Sequence, residues 1–68
     1  MATFTVHLMG QNAPITIDLP VGSVDELAEQ AGQTRFLIGY LASADEEGVC
    51  RRVMIATGRI QCVVEAPG

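Results

Sequence analysis

The residues with chemical reach in this chain are few: His7, Cys50, Cys62, and the four arginines Arg35, Arg51, Arg52 and Arg59, with no lysine. A cysteine nucleophile needs a base within hydrogen-bond reach. No general base neighbours either thiol in sequence, so both read as small packed hydrophobes. One histidine and two cysteines at no ligand spacing make a poor metal site. Asp45-Glu46-Glu47 lacks the alternating oxygen ligands of a calcium loop and reads as a solvated turn. No metal or other cofactor is expected, and no catalytic constellation, so the chain reads as a non-enzyme.

The arginines do not make a basic patch. Arg51 and Arg52 are neighbours on a strand and point to opposite faces. Their expected partners are Glu65 or the 45–47 loop, in exposed pairs of about 0.2–1 kcal/mol. Residues 1–34 carry Asp18, Asp25, Glu26 and Glu29 and no cation, a net of −4, whereas residues 35–68 balance four arginines against Asp45, Glu46, Glu47 and Glu65. A non-specific phosphate binder presents a basic face; this composition has none. Phe36 and Tyr40, at 4% aromatic content, are too few for a base-stacking platform. They read as core or interface anchors, and His7 as a solvated residue on the polar side of a strand.

Sixty-eight residues make one small domain, 1–68. A chain of this size buries about 60% of its unfolded surface and is marginal alone. Disulfides, metal or oligomerisation usually compensate. The first two being disfavoured, the 49% hydrophobic content points to a homo-oligomer. No basic leader followed by an apolar run opens the sequence, and no stretch approaches the ~18 apolar residues of a membrane span. A cytoplasmic protein with reduced thiols is expected.

The elements that must position these residues are mostly strands. Residues 3–9 alternate, with Phe4, Val6 and Leu8 on one side and Thr3, Thr5 and His7 on the other; residues 15–19 alternate again. "GQNAP" between them suits a hairpin loop. Ser23-Val-Asp-Glu26 is a capping box, with Asp25 and Glu26 at the positive end of the helix dipole. Val24, Leu27, Ala28 and Ala31 then form one narrow apolar stripe, and Gly32 is placed to end the helix as its C′ residue. So short a helix must lie on the sheet. Residues 35–42, 49–56 and 59–65 read as three further strands, giving the order β-β-α-β-β-β.

The last three strands are apolar on both faces. If Thr57-Gly58 is a two-residue hairpin loop, Ile55 faces Ile60 and Val53 faces Cys62, on the face of Arg51 and Val64; Cys50, Arg52, Met54, Gln61, Val63 and Glu65 share the other. One short helix cannot cover so much. Either the sheet bends sharply into a small barrel, or its edge strands pair with other copies, or both.

Met54-Ile55, three linking residues, Arg59-Ile60 and Cys62-Val63-Val64 resemble the second signature motif of the Sm-like (Lsm/Hfq-like) family, and "TVHLMGQ", ending near Gly10, is similar to the first. The resemblance implies a strongly bent, five-stranded antiparallel Sm-like/SH3-like barrel whose copies join edge to edge into rings. Met54, Ile55, Ile60, Cys62, Val63 and Val64 would then form the oligomer interface, and RNA would be a ligand through Arg52, Thr57 and Arg59, disfavoured by the charge. Two features differ from that family: the helix lies between strands two and three rather than before strand one, and the turn is Ala56-Thr57-Gly58 rather than basic or aromatic. As an alternative, "DLPVGSVDEL" resembles the β-grasp of small sulfur-carrier proteins, implying a carrier or adaptor whose first and last strands pair in parallel. Such carriers end in Gly-Gly; here Pro67 stiffens the tail and the second glycine is absent.

Overall fold

A computed structural model describes residues 1–66; Pro67 and Gly68, on which the carrier-tail reading falls, lie outside them. Five antiparallel strands curl into a half-barrel, with one helix packed to the β5 side. They are β1 (Ala2–Leu8), β2 (Ile15–Leu19), β3 (Phe36–Leu41), β4 (Arg52–Ala56) and β5 (Ile60–Glu65), with α1 (Val24–Ala31) between β2 and β3. The spatial order is β4-β3-β2-β1-β5. β1 pairs antiparallel with β5, so the parallel pairing expected for a β-grasp is not formed.

Alternation decides which residues enter the concave side. Phe4, Val6, Ile17, Leu19, Leu37 and Ile55 are buried there, joined by Leu27 from the helix. Of the helical stripe only Leu27 is fully buried. Burial of large aliphatic or aromatic side chains is worth about 1.5–3 kcal/mol each, so these seven side chains are the main source of stability. The helix begins as its sequence requires: the Ser23 hydroxyl accepts from Glu26 N–H at 3.2 Å, and the Glu26 carboxylate accepts from Gly22 N–H at 3.0 Å, one residue before the cap. Gly32 is the C-cap itself, in right-handed conformation, with its N–H donating to Ala28 O. Gly10, at φ +84°, supplies the left-handed residue of the β1–β2 turn.

The shortest ladder joins β2 and β3, where only Ile17–Leu41 and Asp18–Tyr40 pair. Gly39 stands next to these pairs, where the two strands approach too closely for a side chain. A Cβ there would overlap the Asp18 carbonyl oxygen and lie 2.9 Å from Leu19 Cδ2.

The two-residue hairpin at Thr57-Gly58 is not formed. Residues 57–59 make a single 3-10 turn, and the strands on either side lie at opposite ends of the sheet. Ile55 therefore pairs with Leu37, not Ile60, and Cys62 pairs with His7. The reason is the curl: with β3 and β1 offering hydrogen-bonding edges, each strand buries its apolar side against the shared core rather than against the other. β4 also starts three residues later than its apolar run suggests. Val49 and Arg51 are held by the preceding loop, where Asp45 N–H donates to Val49 O at 2.9 Å.

Candidate interaction surface

The convex side of β3 and β4 carries the exposed apolar surface. Phe36, Ile38 and Tyr40 are 48%, 50% and 37% exposed, and Met54 is 63% exposed. Register makes them contiguous: Ile38 sits opposite Met54, and Tyr40 opposite Arg52. The Arg52 guanidinium lies over the Tyr40 ring, 5.5 Å from its centroid, a cation–π contact worth about 0.5–1 kcal/mol at an exposed site. Phe36 and Tyr40 are thus surface residues and not part of the core.

This patch borders an open strand edge. Leu41 N–H donates to Arg51 O (2.8 Å) and Thr57 N–H to Arg35 O (2.9 Å). Backbone direction alternates along a strand, so Arg51, Val53, Ile55 and Thr57 face β3, while Arg52, Met54 and Ala56 turn their N–H and C=O outward. Among the described residues nothing pairs with that edge. At the other end of the sheet, Ala66 N–H donates to Thr3 O (3.0 Å), so Cys62 and Val64 face β1, while Val63 and Glu65 face outward. A bulge opposite His7 and Leu8 interrupts this strand.

The six residues expected at an oligomer interface separate under this alternation. Ile55 is a core residue, 5% exposed, because its side chain points inward opposite Leu37. Ile60 and Val63 pack partly against the core. Met54, Cys62 and Val64 are exposed. Both cysteines are free and exposed, correcting the expectation of packed thiols: Cys50 lies in the loop before β4, and Cys62 points to the convex side beside His7.

Arg52, Thr57 and Arg59 do not converge. Arg52 starts β4, and Thr57 and Arg59 follow its end, roughly 17 Å away at about 3.3 Å per residue. The Thr57 hydroxyl lies 3.0 Å from Thr34 O and 3.1 Å from Arg35 O, donating into the entrance of β3. That leaves it tying the 3-10 turn to the sheet rather than presented to a ligand.

Arg51 pairs with the acidic loop, as its sequence suggests. Its Nε contacts Asp45 Oδ2, and its Nη2 lies 3.2 Å from Glu47 Oε1. Asp45 Oδ1 also accepts from Val49 N–H at 3.0 Å and Glu47 N–H at 2.9 Å. The Val49 amide, then the Arg51 guanidinium, hold the Asp45 carboxyl below the ordinary carboxylate range. Among the described residues no group of three His, Cys, Asp or Glu is placed to hold a metal ion, and no helix is long and apolar enough to cross a membrane.

Of the concave features among the described residues, the most apolar lies beside the helix. Between α1 and β5 runs an apolar groove of about 260 Å³, lined by Val24, Leu27, Ala28, Ala31, Ile60 and Val63 among others. It is smaller than the ~300–1,000 Å³ sites that enclose drug-sized ligands.

No family model, curated protein or solved structure matches this chain. The surface must therefore be read from its own geometry. Its main elements are an apolar strip, two open strand edges and a shallow groove. Sequence reasoning identified the two-faced character of residues 35–42 but missed Gly39 and the Tyr40–Arg52 stack. A glycine inside an otherwise β-rich run was the available signal for the first.

Proposed function

We propose that this chain is a non-enzymatic, self-assembling interaction module of the Sm-like type, whose copies join head to tail through β4 and β5. The observation that carries this reading is the pair of open edges at opposite ends of one curled sheet, with the exposed Met54 beside one and Val64 on the other. An exposed edge strand is a template for another chain. Two different edges on one molecule make a heterologous contact, which closes into a ring or runs on as a filament. A core of seven buried residues gives a chain of this size further reason to gain stability from association.

Light scattering tests the reading. The expected native mass is a closed ring of about five to eight protomers. A monomer at high concentration would overturn it. A large, single-sign charge accumulates in such a ring, since each copy carries −4. The ring is therefore read as a protein-interaction platform, with RNA the less favoured ligand.

A further inference from the structure

We propose that the two edges meet in one register: Met54 opposite Val63 of the next copy, and Arg52 opposite its Glu65, with the Met54 side chain seated in the groove between α1 and β5. This rests on the head-to-tail reading and specifies how its contact is made. The backbone restricts the choice. A hydrogen-bonded antiparallel pair needs both residues to face the shared edge. On β4 these are Arg52, Met54 and Ala56; on β5 they include Val63 and Glu65. Pairing Met54 with Val63 automatically pairs Arg52 with Glu65, because the strands run oppositely.

Two independent features agree with that register. Residues opposite each other in a ladder project from the same face, and Val63 lines the groove. Met54, 63% exposed in its own subunit, is thereby delivered over an apolar groove in the next one. Small Ala28 and Ala31 leave that groove open. The charges also match, since β4 begins with a cation and β5 ends with an anion. A two-fold β4–β4 pairing would instead set Met54 against Met54 and Arg52 against Ala56, leaving the groove empty and Glu65 without its cation.

Cysteine cross-linking tests the register. In a background with Cys50→Ser and Cys62→Ser, Met54→Cys and Val63→Cys chains are co-expressed and oxidised. Hydrogen-bonded antiparallel pairs have Cα atoms about 5.5 Å apart, within the ~4.4–6.8 Å that a disulfide spans. Covalent dimers are expected only when both variants are present. Dimers from Met54→Cys alone, or none from an assembled protein, would overturn the register. Charge exchange uses two exposed residues and gives a second reading. Arg52→Glu or Glu65→Arg alone should weaken assembly more than about tenfold through like-charge contact, and the double variant should restore it. Failure of restoration also overturns the proposal. A monomeric wild type defeats the head-to-tail reading itself; an assembled wild type without the 54–63 bond defeats only the register.

Discussion

Gly39 passes so close to Asp18 that no side chain fits between the strands that carry them. The close approach lies where β3 leaves β2 after only two paired residues, so the packing of β3 on β2 requires glycine there. Gly39→Ala must push a methyl group against backbone, which cannot rotate away. We expect a loss of about 3 kcal/mol or more, the upper end of overpacking costs. A lowered urea midpoint measures this; an unchanged midpoint would show that the close approach relaxes freely.

Met54 and Ile55 are neighbours with opposite roles. Ile55→Ala removes a buried side chain and should cost about 2–5 kcal/mol. Met54→Ala removes an exposed one and should change the stability of the isolated subunit by less than about 0.5 kcal/mol. Its effect should appear instead in the native mass, which falls. Denaturation and light scattering on the same pair of variants separate the two roles, and a stability loss from Met54→Ala equal to that from Ile55→Ala would contradict the assignment.

Acid should release the 45–51 loop. The folded Asp45 pKa is lowered, first by the Val49 amide and then by Arg51. A lowered folded value means that the interaction is fully present above the unfolded value, about 3.9, and is lost as pH falls through the lower folded one. The Glu47 and Val49 amide resonances should therefore shift together, with a midpoint below pH ~3.9. A midpoint at or above that value would remove the basis for the capped loop. Asp45→Asn keeps an acceptor for both amides but loses the charge opposite Arg51, so it should abolish this titration while preserving the turn.

Single-stranded RNA should not be retained in filter binding at low salt, where phosphate affinity is greatest. Arg52 is stacked on Tyr40, Thr57 is engaged with the entrance of β3, and Arg59 stands at the far end of β4. Retention that is lost in Arg59→Ala would reverse this prediction and make RNA a ligand.

The local vocabulary of this protein was legible in its residues. Alternation in 3–9 and 15–19 gave the first two strands and set Phe4, Val6 and Leu8 together on one face of the first. Ser23 and Glu26 marked the helix start, and the order β-β-α-β-β-β followed from period together with capping and turn signals. Arg51 found the acidic loop because charge and proximity along the chain suffice for that contact. What period and charge cannot specify is which strand lies beside which. "TG" between two apolar runs looks like a hairpin, yet a 3-10 turn separates β4 and β5 to opposite ends of the sheet. That outcome depends on long-range pairing with β3 and β1, and on a close approach of β3 to β2 admitted by the missing side chain at Gly39. Once the sheet curls, the same alternation buries Ile55, exposes Met54, and separates Arg52 from Arg59. Sequence set the two faces of each strand; the closure of the sheet decided which face is core and which is surface, because burial is a property of the assembled neighbours and not of the strand.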